Sequence, residues 1–367
     1  MSASRLLYDL APVRIAFLAW RDLAHPHAGG SEYVVDRLAR GLQDRGHSVT
    51  LFAGGPVAQR EYPVVDTGSR FGQYLTAPGR VARHLPDADV VVDVENGIPF
   101  FSPLWRRRPV VCLVHHVHTE QWDLYFPKPV AFVGDTLERV VMPWAYRGAQ
   151  FVAVSPSTAT ALEGIGVEPS RIHTVTMGTE SAEPASPEDP EPLFLALGRL
   201  VPHKRVDLLL ELWDEVRPVT GGTLVIAGDG PERARLERAA GEGVVFTGFI
   251  TEAEKRELLD RAWLLVHPAL HEGWGTVVME AASVGTPTIG FDVVGVRDSV
   301  RHGHTGLLAD TSADFVEQWI DLATNADARA ALGRGAREWA QSQNWDRTVD
   351  QFEAVLELSA TARRSSR

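Results

Sequence analysis

The sequence predicts an α/β protein of two doubly wound domains facing a central cleft. Three observations carry this. Short apolar runs alternate with segments of helical spacing, the alternation starts afresh midway along the chain, and a proline- and acid-rich stretch separates the two series. Short apolar runs suit parallel strands buried on both faces, and the intervening helices make the crossovers such strands require. Two such series imply two sheets, each with its ligand-binding side at the carboxyl ends of its strands.

The chain has 367 residues, room for two domains of ordinary size. Its 44% hydrophobic and 23% charged content is that of a soluble globular protein. A net charge of −12 argues against nucleic-acid binding, so any anionic ligand must be held locally against an unfavourable overall field. The single cysteine, Cys112, excludes an internal disulfide and fits a reducing compartment. The stretch Met1 to Pro12 lacks a secretory apolar core, and no run approaches the ~18 apolar residues of a membrane span. A cytoplasmic protein, with peripheral contact to the inner face of a membrane left open, is the expectation.

Val13 to Ala19 reads as the first strand, followed by Gly29 and Gly30 at the start of a helix over Tyr33 to Leu42, with Ser48 to Phe52 as the next strand. A glycine pair at a helix start lets a phosphate approach the backbone, although the pair alone is a weak signal. Val90 to Val94 and Val110 to Val114 are further strands, the second running into His115, His116 and His118. Histidines at a strand end lie where substrate contact is expected. Three in four residues also raise a metal site, but no cysteine or well-spaced carboxylate completes a ligand set, so no metal is expected. Pro129 to Trp144 carries Val130, Val133, Leu137, Val140, Val141 and Trp144 with helical spacing, an ordinary amphipathic helix rather than an acceptor groove or membrane face. Phe151 to Val154 is the next strand.

Glu183 to Pro192 holds four prolines and four acids and reads as the interdomain linker. Beyond it come strands at Leu193 to Leu197, Thr223 to Ala227, Val244 to Thr247 and Trp263 to Val266, with Thr251 and Glu254 forming a capping box between the last two. Arg199 and Lys204 follow the first of these strands, a fork-shaped and a point-charge cation suited to a diphosphate. After the last strand, Glu272, Gly273, Trp274, Gly275 and Thr276 open a helix to about Ser283 that carries Glu280. Such a helix start is an anion site, and the flanking carboxylates can accept hydrogen bonds from hydroxyl-rich groups. The pattern describes a sugar nucleotide.

Gly198 and Arg199 with Lys204, the run Ala227 to Pro231, Thr247 to Phe249, and Glu272 followed eight residues later by Glu280 together resemble the family 4 retaining glycosyltransferases of GT-B fold. The resemblance covers nearly the whole chain and implies two Rossmann-like domains. These are an acceptor-side domain over 1–182, a linker over 183–192, a nucleotide-sugar domain over 193–345, and a terminal helix over 346–362 crossing back to the first domain. It implies that Glu280 binds the ribose, that Glu272 and the amides of Gly273, Trp274, Gly275 and Thr276 face the donor sugar and phosphates, and that Arg199 and Lys204 grip the diphosphate. Phe249 and Ile250 would meet the base, Gly29 and Gly30 the phosphates, and His115 the donor sugar at the reacting carbon. His116, Trp122 and Tyr125 are acceptor-side candidates.

The implied reaction moves a hexose from a nucleoside-diphosphate sugar, UDP or GDP being expected, to a hydroxyl of a glycan, a lipid-linked acceptor or a small metabolite. It proceeds with retention, the leaving phosphate taking the acceptor's proton, and without a metal or other cofactor. Met177 before Gly178, Trp274 and Asp298 depart from the family's usual residues. A nucleotide-sugar 2-epimerase or a non-catalytic nucleotide-sugar binding module on the same fold is the alternative. Asp87, Asp89, Asp93 and Glu95 do not make the Asp-x-Asp pattern of a metal-dependent single-domain transferase, and Glu272 and Glu280 flank a phosphate-type turn rather than a glycosidic bond.

Overall fold

The computed structural model describes residues 12–69, 71–118, 121–180, 182 and 186–361. The chain forms two compact units, one running to Thr176 and taking up Trp345 onward, the other Met177–Asn344. The expected termini at Met1 to Ala11 and Arg363 to Arg367, and Glu183 to Ala185 of the expected linker, lie outside the described residues.

Unit 1 is built on a seven-stranded sheet: β1 (Arg14–Ala19), β2 (Ser48–Ala53), β3 (Val64–Asp66), β4 (Val90–Glu95), β5 (Val110–Val114), β6 (Gln150–Ala153) and β7 (Ile172–Thr174). The order is β3-β2-β1-β4-β5-β6-β7, all pairs parallel. The strand order reverses between β1 and β4, the point at whose carboxyl ends a doubly wound sheet of this kind opens its crevice. The central strands are buried on both faces, Cys112 included, as their unbroken apolar runs require. The terminal helix Trp345–Thr361 packs on this sheet, where Phe352 is fully buried and stacks on Phe17 with ring centres 6.1 Å apart.

Unit 2 holds β8 (Leu193–Leu197), β9 (Thr223–Ala227), β10 (Val244–Gly248), β11 (Leu264–His267), β12 (Thr288–Phe291) and β13 (Gly306–Ala309). Their order is β10-β9-β8-β11-β12-β13, again parallel, with the reversal between β8 and β11. Trp213, Trp319 and Phe194 cluster beneath this sheet, Phe194 and Trp319 edge to face at 5.2 Å.

Two expectations are corrected. The chain passes between units at Thr176/Met177 rather than over 183–192, because the described part of the proline-rich stretch belongs to unit 2. There Asp189 takes a 2.6 Å salt bridge from Arg261, and its carbonyl accepts the Trp263 indole N–H at 2.7 Å. The helical segment from Lys128 to Ala145, broken by one π-helical turn over Leu137–Val141, is turned the other way. Ala131, Gly134, Glu138 and Met142 face inward, while Val130, Phe132, Val133, Val140 and Trp144 are each at least half exposed. The cause is the Trp122 ring. It lies flat where a Cβ on Gly134 would come within 2.4 Å, so only small residues fit underneath.

Truncating Phe352 to alanine empties a fully buried contact between terminal helix and sheet. Chemical denaturation is expected to show a loss of about 3–5 kcal/mol; a loss below about 1 kcal/mol would mean the helix contributes little to unit 1.

Candidate functional site

In unit 2 the topology brings most of the predicted donor residues to one end of the sheet. Gly198, Arg199 and Lys204, after β8, line a pocket with His267, which ends β11, and Pro268 beyond it. Glu272 sits in the turn that follows. Its N–H donates to Val294 O at 2.9 Å, and Gly295, at φ 79°, lies so close that a Cβ there would be 2.1 Å from the Glu272 carbonyl oxygen. The backbone thus holds Glu272 from behind.

Its side chain is held from the front. The Lys204 ammonium makes a direct salt bridge to Glu272 Oε1, and His267 Nε2 lies 2.8 Å from the same oxygen. Burial by itself would raise the Glu272 carboxyl. The Lys204 charge and the His267 hydrogen bond overcome it and hold the group well below the ordinary carboxylate range. Lys204 and Glu272 were expected to take separate parts of a donor; in the structure they pair with each other. His203, next to Lys204, stacks on His271 at 5.2 Å, and burial followed by the Lys204 charge pulls its pKa to about 3, so the ring stays neutral.

Thr276–Val284 is the helix predicted behind the turn, opened from Gly275. Glu280, on its second turn, is partly buried and takes a 2.8 Å salt bridge from Lys255, which also pairs with Glu252 at 2.7 Å. Burial raises the Glu280 carboxyl despite this partner. Phe249, after β10, is 86% exposed with Ile250 half-buried beside it, a ring offered to solvent. Trp274 is different. Its side chain is buried near Trp339, with ring centres 6.5 Å apart, so any ligand contact falls to its backbone.

In unit 1, Gly29 precedes the helix Gly30–Asp44, but its N–H is already donated to Glu32 Oε2 at 2.7 Å. The Glu32 carboxylate, also paired with Arg21 at 3.2 Å, thus occupies part of the expected phosphate contact. His115, just past β5, is 7% exposed and its Nε2 has no partner among the described residues. Burial pulls its pKa to about 4, the nearby Glu32 raising it and His118 lowering it, so the imidazole is neutral and holds an unused ring nitrogen. The His116 ring lies against that of His118, centres 4.0 Å apart and planes tilted by 43°. Tyr125 is exposed, whereas Trp122 is buried and donates its indole N–H to Glu138 at 3.0 Å, which rules out a stacking platform. Contrary to the expectation of no nearby carboxylate, Glu95 and Glu138 both approach His118.

Sequence reasoning did not find His267, Lys255 or Glu138. His267 directly follows the strand predicted over Trp263 to Val266 and was legible by the strand-end rule. Lys255 and Glu138 sit on neighbouring helices and become partners only on packing.

Two family models match the chain. The one described as Glycosyltransferase Family 4 covers residues 28–183, and Glycosyl transferases group 1 covers 179–339. The GDP-mannose-dependent alpha-(1-6)-phosphatidylinositol monomannoside mannosyltransferase of Mycobacterium tuberculosis is 28% identical, over 88% of this chain and 92% of its own. A GDP-mannose-dependent alpha-mannosyltransferase of the same organism is 32% identical over 55% of this chain and 56% of its own. Among solved structures, the fold matches sucrose-phosphate synthase from Thermosynechococcus elongatus with a TM-score of 0.79 at 18% identity, covering 95% of this chain and all of that one. It also matches Anabaena Alr3699/HepE in complex with UDP and glucose, with a TM-score of 0.76 at 19% identity, covering 94% and 99%.

The neutral state of His115 is open to measurement. Ring resonances followed by NMR are expected to show no protonation midpoint above about pH 5, whereas a midpoint near the ordinary 6.5 would place the ring in water. The two sheets of GT-B type, the strand-end cation and carboxylate of unit 2 and the two matching family models together make this chain a member of the family 4 glycosyltransferases.

Proposed function

We propose that the protein moves a hexose, with retention of configuration, from a nucleoside-diphosphate sugar to a hydroxyl acceptor. The observation that carries this reading is the Lys204–Glu272–His267 group at the strand reversal of unit 2, beside the helix that carries Glu280. A diphosphate entering the pocket competes with Glu272 for Lys204 and draws on Arg199, and the released carboxylate accepts hydrogen bonds from donor-sugar hydroxyls. Glu280 takes the ribose hydroxyls, Phe249 and Ile250 meet the base, and the unused nitrogen of neutral His115 serves the donor sugar. As charge builds on the leaving phosphate, Lys204 and Arg199 stabilise it and the phosphate takes the acceptor's proton. The step needs neither a carboxylate nucleophile nor a metal. GDP-mannose is the first donor to try, because two relatives are named for it; UDP-sugars come second.

The outward apolar face of unit 1 favours a membrane-linked acceptor. Val130, Phe132, Val133, Val140 and Trp144 are exposed, and Arg139, Arg147 and Arg171 line the groove beside Trp144. An apolar face next to arginines matches an anionic bilayer surface. No helix among the described residues is long and apolar enough to cross a membrane.

Thermal-shift screening against GDP-, UDP- and ADP-sugars, followed by mass spectrometry with candidate acceptors, tests the donor assignment. Stabilisation by none of them sinks it, and conversion of the sugar nucleotide alone would identify an epimerase. Glu280→Ala is expected to weaken nucleotide binding by roughly tenfold or more, whereas Lys204→Ala should chiefly lower kcat by about 100-fold; equal, negligible effects contradict the arrangement. In vesicle flotation the protein should bind anionic rather than neutral vesicles, and a Phe132→Ser, Val140→Ser double variant should lose that binding. Flotation unchanged by the double variant removes this face from the argument.

A further inference from the structure

One cluster in unit 1 has no part in donor binding. Glu95 ends β4, Glu138 lies in the π-helical turn, and His118 follows β5. Both glutamates are fully buried, and one carboxylate oxygen from each lies with a ring nitrogen of His118 inside a sphere of mutual distances under 4.8 Å. His118 Nδ1 is 3.1 Å from Glu138 Oε1 and 3.9 Å from Glu95 Oε2. Glu138 is oriented from behind by the His118 backbone N–H at 2.7 Å and the Trp122 indole N–H at 3.0 Å. Glu95 is not. No side chain among the described residues hydrogen-bonds either of its oxygens, the Gly97 amide being the group that favours its charge.

Two buried carboxylates facing one imidazole are short of a positive charge, because an unpaired carboxylate in a dry interior is costly. We infer that Glu95, Glu138 and His118 form a divalent-cation site, with zinc the best match. The carboxylates are hard oxygen ligands and the imidazole a borderline nitrogen one, a mixed set that zinc accepts and that the imidazole makes a poor match for magnesium, which prefers oxygen alone. Metal–ligand bonds of about 2.0–2.2 Å place ligand atoms roughly 3.3–4 Å apart. A small inward rotation of Glu95, whose oxygens are held by no other side chain's hydrogen bond among the described residues, closes the set. The indole and backbone donors on Glu138 are the outer hydrogen bonds that orient a metal ligand, and the partly exposed side of His118 supplies the entrance. The ion would join β4 and the π-helical turn to the segment after β5, which carries the acceptor-side candidates His116, Trp122 and Tyr125.

The untagged full-length chain, stripped with chelator and returned to metal-free buffer, tests this without reference to transferase activity. Titrated zinc is expected to be retained at about one ion per chain through dialysis and to raise the thermal midpoint by several degrees, with magnesium inactive. Glu95→Gln keeps the shape and removes the charge, so it should fold and lose both zinc retention and the midpoint shift; His118→Gln should do the same. No zinc retention by the unaltered chain, or retention unchanged in both variants, overturns the site. So does a higher midpoint for Glu95→Gln in metal-free buffer with no zinc retention in either protein, which would show that a proton on Glu95 neutralises the cluster.

Discussion

The salt bridge between Lys204 and Glu272, anchored by His267, is the interaction on which the site of unit 2 depends. It joins the segments that follow β8 and β11 across the strand reversal and keeps a partly buried carboxylate ionised against the burial that would raise it. Under the proposed function an incoming diphosphate has to compete with this carboxylate for the ammonium. The turn at Val294 and Gly295 fixes the Glu272 backbone, so the carboxylate's position is set by main chain as much as by charge.

Unit 1 follows another logic. Its strand ends collect His115, Glu95 and the His118 segment, all largely withdrawn from water, and their neighbours are acids rather than cations. Trp122 organises this region. Its ring demands Gly134 beneath it and its indole holds Glu138, which turns the helix from Lys128 so that large apolar residues face outward. One buried aromatic thereby determines both the acid cluster inside and the apolar face outside. A helix that buries small residues and a glutamate while exposing valine, phenylalanine and tryptophan inverts the usual amphipathic arrangement.

Strand–helix alternation, the glycine turns and the glutamate pair are local patterns, and local patterns survive folding. β1, β5, β8 and β9 lie within a residue of their apolar runs, and the helix carrying Glu280 starts at the predicted Thr276. The short β3 and β7 at the edges of their sheet carry too few apolar residues to announce themselves, while β12 and β13 escaped notice because the helix signal before them dominated. The proline-rich stretch misled for a different reason. Proline excludes helix and central strand, but it does not prevent a loop from packing, and Asp189 docks through hydrogen bonds that composition does not encode.

By itself the sequence determined the fold class and the two sheets, and it nominated the donor-site candidates of the proposed function, because these rest on period and spacing within local strand–turn–helix units. Only the tertiary structure decided who pairs with whom. Lys204 with Glu272, Lys255 with Glu280, and His118 with Glu95 and Glu138 are separated by many residues in the chain and meet through strand order and helix packing. The orientation of the helix from Lys128 belongs to the same class, since its apolar spacing fitted a buried face until the volume of one tryptophan excluded it.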